Sequence, residues 1–177
     1  PTQLQQLLKS NFNMKAFKAV IIGGQDLDKK IFLTAKEKSI PISLSYGSSE
    51  SVAILSATKP GETFNGSVGK VLKNRDISII HKHLCFKGEA CFYGYQEEDK
   101  DVLPFDDIGF FHTQDLARLE NNELYIDGRA DFIYKSGGEN INPKELEDYF
   151  LDRSSLKEIH VLPLIDPNYQ NLNSALV

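Results

Sequence analysis

Residues 19–46 read AVIIGGQDLDKKIFLTAKEKSIPISLSY, and this stretch decides the fold class. A short apolar run ends at a pair of glycines, as a buried strand does, and apolar residues at helical spacing follow. Asp26 is predicted to be the N-cap of that helix, and Pro41 ends it before a second strand over 42–46. A strand, a helix and a strand in this order predict parallel strands, whose carboxyl ends commonly bind ligands.

The pattern changes further along the chain. From 61 to 127, short β-branched and aromatic runs are broken by Gly, Asn, Asp and Pro, which is typical of an antiparallel barrel or sandwich. After 128 a helix is predicted to begin at Asn142 as N-cap and Pro143 as first helical residue.

We therefore expect an α/β plus β fold in three parts. Residues 1–60 would end a parallel α/β subdomain, residues 61–130 would form a small antiparallel β-barrel-like subdomain, and residues 131–177 would begin a small α+β C-terminal domain.

Composition excludes several classes of protein. The 177 residues are 41% hydrophobic, enough for a buried core, and a net charge of -5 argues against nucleic acid as the main partner. The longest apolar runs are far shorter than the roughly 20 residues of a membrane span, and no signal-peptide pattern opens the chain, so we expect a cytoplasmic protein.

Because the chain starts at Pro1 without Met and stops at Val177 in an apolar stretch, we expect it to be part of a longer protein. The oligomeric state is not predicted.

The segment Ser45–Glu50 follows the second strand and carries several groups that suit a nucleotide. Tyr46 offers an aromatic face for a base, Gly47 lets backbone approach, a hydroxyl can donate to phosphate and Glu50 can hold Mg²⁺. The alternative is a simple turn, which the same residues would also form.

Three later segments are further candidates. Asp115 follows an aromatic run and, at a strand end, could accept hydrogen bonds from both ribose hydroxyls, although an Asp in a turn usually caps backbone amides. Arg129 could offer its guanidinium to sugar and phosphate, or lie in a β-turn with an ion pair. The loop 136–140 could receive an anion or be a hairpin turn.

The cysteines and two of the histidines are assigned no chemistry. Cys85 and Cys91 match no zinc or redox spacing and are interpreted as half-buried strand thiols. His81 and His83 share a face if their segment is a strand, but no acidic or Cys partner is near in sequence, so solvated histidines are favoured over a metal site.

Five sequence blocks in a fixed order resemble the adenylate-forming superfamily of acyl-CoA synthetases, luciferases and peptide-synthetase adenylation domains. They extend over about 125 residues: Gly-Gly-x-x-Leu at 23–27, Tyr-Gly-x-Ser-Glu at 46–50, Thr-x-Asp-Leu at 113–116, Gly-Arg-x-Asp at 128–131 and Ser-Gly-Gly-Glu-Asn-Ile-x-Pro-x-Glu-x-Glu at 136–147. Within the superfamily, the Pro-Thr-Gln-Leu start, the short segment 66–70 and Gln114 before Asp115 look most like the o-succinylbenzoate–CoA ligases of menaquinone biosynthesis.

The resemblance implies a two-step reaction with ATP, Mg²⁺ and coenzyme A. The carboxylate of a small acyl substrate, with o-succinylbenzoate favoured, attacks the α-phosphorus of ATP to give an acyl-adenylate and pyrophosphate. The thiol of coenzyme A then displaces AMP and leaves a thioester.

The same resemblance assigns the adenine site. Tyr46 would stack on one face of adenine, with Ser45 and Gly47 beside it in the same motif, and the backbone of Gly24 and Gln25 would cover the other face.

The remaining roles also follow from the motifs. Ser49 would take the phosphate-binding role usually given to Thr, Glu50 would bind Mg²⁺, Asp115 would bind the ribose hydroxyls, and Arg129 would bind the ribose and nearby phosphate. Two further positions concern movement: Asp131 matches the hinge of a swivelling C-terminal domain, and Gly138 would lie near the pantetheine channel after rotation.

Two parts of the superfamily's machinery are not found in these residues: the Ser/Thr/Gly-rich loop that grips the pyrophosphate and the C-terminal lysine of the adenylation step. We therefore expect this polypeptide alone to be inactive. The alternatives are a ligase for another aryl or fatty acid, a catalytically inactive nucleotide-binding homologue, or a structural β-rich domain.

Overall fold

The fold is described from a computed structural model, which covers residues 1–10, 12–98, 100–156 and 158–177. Those residues contain the α-helices α1 (Thr2–Lys9), α2 (Lys29–Glu37) and α3 (Pro143–Arg153), and the 3-10 helices Met14–Ala16 and Ala130–Phe132. The strands are β1 (Val20–Ile22), β2 (Ile42–Ser48), β3 (Ala53–Ala57), β4 (Lys70–Val71), β5 (Asp76–Ile80), β6 (His83–Lys87), β7 (Tyr95–Gln96), β8 (Asp101–Val102), β9 (Phe111–Glu120), β10 (Glu123–Arg129), β11 (Tyr134–Ser136), β12 (Glu139–Ile141), β13 (His160–Asp166) and β14 (Gln170–Leu176).

Eight of the strands form one mixed sheet in the order β1-β2-β3-β4-β10-β9-β6-β5. β1 and β2 are parallel, which confirms the strand–helix–strand prediction, and the other neighbours in this sheet are antiparallel. The remaining strands pair in three two-stranded sheets.

The barrel-like closure predicted for residues 61–130 is not found among the described residues, because none of the four sheets closes on itself. β3 pairs with β2 on one side and with β4 on the other, so the strands after residue 61 extend the sheet begun by β1 and β2. The result is an open sheet with edges at β1 and β5. The predicted boundaries at 60 and 130 remain predictions.

The helix α2 begins two residues later than the sequence predicted. Asp28, and not Asp26, is its N-cap: the Asp28 carboxylate accepts hydrogen bonds from the backbone N–H groups of Lys30 at 2.6 Å and Ile31 at 3.3 Å. The Asp26 carboxylate instead pairs with Lys144, whose Nζ lies 2.7 Å away.

Two hydrophobic clusters stabilise the chain up to residue 129. The first packs α1 and α2 against the parallel strands, and the second lies under the antiparallel strands. The buried members of the second cluster are Leu55, Leu84, Phe86, Phe111, Ala117 and Leu124.

The C-terminal helix starts where the sequence predicted. Asn142 is the N-cap of α3 and accepts from the backbone N–H of Lys144, and Pro143 is the first helical residue. The apolar face predicted for this helix is only partly covered, since Tyr149 is 53% and Phe150 43% exposed. No helix among the described residues is long and apolar enough to cross a membrane.

Candidate nucleotide-binding site

Asp115 and Arg129 are direct neighbours across two antiparallel strands. The β9–β10 pairing sets Arg129 opposite Asp115, and the guanidinium Nη1 lies 3.2 Å from Asp115 Oδ1. The sequence interpretation of both segments needs correction. Asp115 lies in the middle of β9 and not at a strand end, and β10 continues to Arg129 through a bulge between Ile126 and Gly128.

Tyr46 reaches the same carboxylate from β2. Its phenol donates a hydrogen bond to Asp115 Oδ2, so the two oxygens of Asp115 have donors from two different strands. Burial, then the charge of Asp115 and this hydrogen bond, raise the pKa of Tyr46, so its hydroxyl stays protonated and remains a donor. Strands β2, β9 and β10 are thereby joined at one carboxylate.

Arg129 also binds Asp131 in the following 3-10 helix. Its Nε and Nη2 lie 2.9 Å and 2.7 Å from the two oxygens of Asp131, a fork geometry in which each nitrogen meets one oxygen. This hydrogen bonding is the main cause that raises the pKa of Arg129 and lowers that of Asp131. Arg129 is therefore a fixed positive charge held between two carboxylates.

Glu50, Asp115 and Arg129 line one hollow of about 310 Å³, and Tyr46 is joined to its wall through Asp115. These four residues, which the resemblance assigns to one nucleotide, are thus brought together by the fold. The volume is at the lower end of the roughly 300–1,000 Å³ of small-molecule pockets. The hollow is lined by Ser48, Glu50, Tyr95, Phe111, His112, Thr113, Gln114, Asp115 and Arg129.

Glu50 has the chemistry that a magnesium ion requires. Burial alone would raise its pKa, but hydrogen bonds from its own backbone N–H, from Ser48 and from Tyr95, together with the charge of Arg129, lower the pKa below its ordinary value. The group is therefore a carboxylate at neutral pH. One such hard oxygen ligand fits Mg²⁺, which is usually held by one or two carboxylates with substrate phosphates and water.

A second hollow, of about 520 Å³, lies on the other side of the end of β2. Four predicted nucleotide-binding residues line it, and Ser48 lines both hollows. Those four are Gly24, Ser45, Gly47 and Ser49. Ser49 and Glu50, predicted to act on the same Mg²⁺–ATP, thus face different hollows.

Gly47 is needed by the sheet itself. A Cβ at this position would lie 1.9 Å from the backbone oxygen of Ala53 in β3, so the close approach of β3 excludes any side chain here. The close backbone approach predicted at this glycine is made by a neighbouring strand.

Gln25 and Gly138, like Tyr46 and Asp131, line neither hollow. Gln25 is exposed in the turn after β1, and Gly138 is exposed in the turn between β11 and β12. The neighbouring Gly137 donates its N–H to the carbonyl of Tyr169, so this turn packs on the C-terminal strands.

Sequence reasoning missed Tyr95, whose hydroxyl donates to Glu50 Oε1 at 3.0 Å. It lies in the two-residue strand β7, which is too short for a periodicity signal. The Tyr-Gly-Tyr spacing around it carries no sign of a contact 45 residues away.

A thiol, an imidazole and a carboxylate lie in a row beside the first hollow. Cys85 Sγ is 3.4 Å from His112 Nδ1, and His112 Nε2 is 2.8 Å from Asp106 Oδ2. Burial raises the pKa of the Cys85 thiol, which is fully covered. The three groups are spaced as in a cysteine nucleophile with its base, but a substrate could not reach the buried sulfur.

Comparison with known proteins finds similarity to CoA ligases, and the predicted resemblance to the adenylate-forming superfamily is confirmed. No family model matches the chain. The similarity is to 2-succinylbenzoate–CoA ligases: the Escherichia coli (strain K12) protein is 27% identical over 169 residues, covering 96% of this chain and 37% of that relative. The Haemophilus influenzae protein is 29% identical over 182 residues, covering 100% and 40%.

Solved structures give the same answer. The chain superposes on wild-type E. coli MenE with a bound analogue of OSB-AMS with a TM-score of 0.87 at 27% identity, covering 99% of this chain and 39% of that one. The o-succinylbenzoate coenzyme A synthetase from Bacillus subtilis, in complex with ATP and magnesium ion, gives a TM-score of 0.78 at 27% identity, covering 98% and 39%. This chain thus spans about two fifths of the length of these relatives.

Proposed function

We propose that this chain forms part of the nucleotide site of a longer, AMP-forming acyl-CoA ligase. The reaction activates a carboxylate as an acyl-adenylate and transfers the acyl group to coenzyme A. The observation that carries the proposal is the convergence of Glu50, Asp115 and Arg129 on one hollow, with Tyr46 bound to Asp115.

Bound nucleotide would replace some of the contacts that these residues make with one another. Asp115 would accept hydrogen bonds from the ribose hydroxyls, which would take the place of the Tyr46 phenol or the Arg129 guanidinium. The freed Tyr46 ring would lie against the base, and Arg129 would turn its fork toward sugar and phosphate. Mg²⁺, when bound at Glu50, would offset the negative charge of the phosphates.

The residues that line the second hollow would complete the site. Gly24, Ser45 and Gly47 would lie along the adenine, and the Ser49 hydroxyl would donate to a phosphate. The two hollows share Ser48, so one extended nucleotide could lie over the end of β2 and contact both.

The part from 131 to 177 would turn between the two half-reactions. Asp131 lies in the 3-10 helix between β10 and β11, where a few backbone torsions could reorient everything that follows. Gly138 lies outside the hollow in this arrangement, so its proposed place near the pantetheine channel requires that turn. The three-part division at 60 and 130 and a cytoplasmic location belong to the same proposal.

The favoured acyl substrate is o-succinylbenzoate. The 2-succinylbenzoate–CoA ligases at 27% and 29% identity support this choice, as does a Bacillus subtilis structure in complex with the acyl-adenylate intermediate OSB-AMP. A ligase for another aryl acid is the second candidate, because 4-coumarate–CoA ligase 1 of Petroselinum crispum is 24% identical over 176 residues.

ATP–pyrophosphate exchange tests the proposal. A polypeptide of the relatives' full length that contains this segment should exchange label only when a carboxylate is added, and o-succinylbenzoate should support it better than 4-coumarate or a fatty acid. Exchange with a different acid and not with o-succinylbenzoate would identify that acid as the substrate. Nucleotide binding without exchange with any acid would indicate an inactive homologue.

The 177-residue chain alone is the matched control. It should show no exchange, because neither the pyrophosphate-gripping loop nor the C-terminal lysine expected of the superfamily is found in its sequence. Carboxylate-dependent exchange by this polypeptide alone would contradict that expectation.

A further inference from the structure

We propose that Tyr95 is a positioning residue that holds the Glu50 carboxylate toward the hollow in which Mg²⁺–ATP would bind. The inference rests on the proposed function and adds to it a residue outside the five sequence blocks. It is carried by two sets of contacts, one to the backbone around Glu50 and one to its side chain.

The backbone of Glu50 is anchored on the segment that leads to Tyr95. The N–H of Phe92 donates to the Glu50 carbonyl at 2.8 Å. Arg75 Nη1 donates to the carbonyls of Ser51 at 3.1 Å and Ala90 at 2.7 Å, and so bridges the two segments. These bonds fix where the side chain of Glu50 begins, whereas the carboxylate is held by hydrogen bonds from its own backbone N–H, from Ser48 and from Tyr95.

Of these three donors, the Tyr95 hydroxyl is the one that lies far from Glu50 in the sequence. It donates to Glu50 Oε1 at 3.0 Å, and both side chains line the same hollow. The Tyr95 ring is held in turn by an edge contact with Phe92, with ring centroids 4.9 Å apart. A carboxylate has about four lone-pair sites, so an oxygen that accepts from Tyr95 leaves Glu50 able to bind a cation.

Glu50 and Tyr95 are arranged like a metal-binding carboxylate and the neighbouring group that orients it by a hydrogen bond. A carboxylate that binds a metal is usually oriented by a hydrogen bond from a neighbouring group, and loss of such a partner typically costs about 10- to 100-fold in metal affinity or activity. Tyr95 is 42% exposed, so water can replace part of its contribution, and we expect an effect of about three- to tenfold.

The test is Tyr95→Phe in the full-length ligase, with Tyr93→Phe as the matched control. Tyr93 is two residues away and 75% exposed, and it does not line the hollow. Binding of Mn²⁺ in the presence of α,β-methylene-ATP, followed by electron paramagnetic resonance, should weaken about three- to tenfold in Tyr95→Phe and stay at the wild-type value in Tyr93→Phe.

Two kinetic readouts separate positioning from a loss of structure. The Mg²⁺ concentration that gives half-maximal pyrophosphate exchange should rise in Tyr95→Phe, while the rate at saturating Mg²⁺ stays close to wild type. In a Glu50→Gln background, Tyr95→Phe should weaken Mn²⁺ binding no further, because the carboxylate on which it acts is gone.

Unchanged Mn²⁺ affinity in Tyr95→Phe, or an equal additional loss in the Glu50→Gln background, would overturn the inference while leaving the ligase proposal intact. Absence of carboxylate-dependent exchange in the wild-type protein would instead remove the proposed function.

Discussion

The eight-stranded sheet and the region after residue 133 are built in different ways. In the sheet, Leu84, Phe86 and Leu124 are completely covered. Among the described residues after 133, only Ile159 and Val161 are buried, and Ile165 is 94% exposed. The sheet therefore holds its own core, whereas the C-terminal region leaves most of its apolar side chains in contact with solvent.

This difference explains why the predicted site residues behave differently. Asp115 and Arg129 are fixed by strand pairing within the sheet, so their distance depends on backbone hydrogen bonds. The C-terminal region contacts the α2 segment through polar groups that include Lys144 with Asp26 and Lys30 with the carbonyl of Leu156. In the Lys144–Asp26 pair, Asp26 is 63% exposed, so solvent screens the pair and limits what it contributes to stability; Gly138 lies in this C-terminal region.

The largest effect expected from this contrast is on stability. Phe86→Ala in the core of the sheet should lower the free energy of unfolding by about 3–5 kcal/mol, because it leaves a cavity among covered side chains. Leu164→Ala should cost less than about 1 kcal/mol, because Leu164 is 57% exposed in β13. Urea denaturation of the two variants measures both, and equal losses would contradict the contrast.

The second effect is on the site. In the full-length ligase, Asp115→Ala should reduce pyrophosphate exchange by about 100-fold, since it removes the proposed acceptor of the ribose hydroxyls and leaves Tyr46 and Arg129 without their shared partner. Asp107→Ala, at an exposed carboxylate outside the hollow, should leave the rate unchanged. A loss of less than about threefold in Asp115→Ala would argue against its role.

Local sequence signals predicted local structure well. The order of β1, α2 and β2 and the cap at Asn142 depend on residues close to one another in the chain, and both are confirmed. The cap of α2 was misplaced because Asp26 and Asp28 are chemically identical, and only the fold decides which one faces the helix and which one faces Lys144.

Long-range features could not be predicted in this way. The antiparallel strands form an open sheet because β3 pairs with both β2 and β4. No local sequence pattern indicates which strands will pair. The convergence of Tyr46, Asp115 and Arg129 was predicted through the resemblance and not from spacing. Neither local patterns nor the resemblance identified Tyr95, because it lies in a two-residue strand outside the five sequence blocks.

The smallest effect is expected at the proposed hinge. Hydrogen bonding to Arg129 lowers the pKa of Asp131 in the folded protein. A carboxyl group with a lowered folded pKa contributes stability above its unfolded pKa and loses it as the pH falls through the folded value. The melting temperature of Asp131→Asn should therefore lie below that of the wild type at neutral pH, and the two should converge as the pH falls through the lowered pKa of Asp131.

The loss of stability expected in Asp131→Asn is small, in keeping with the weak contacts of the region after the sheet. Both Arg129 and Asp131 side chains are 43% exposed, so solvent screening limits the pair to a few tenths of a kcal/mol, on the order of other exposed ion pairs. Asp107→Asn, at an exposed carboxylate, is the control. A loss in Asp131→Asn that persists unchanged at low pH would mean that Asp131 acts by packing and not by charge. A weak, charge-based contact would suit the proposed turn about Asp131, because that turn would break the contact and form it again.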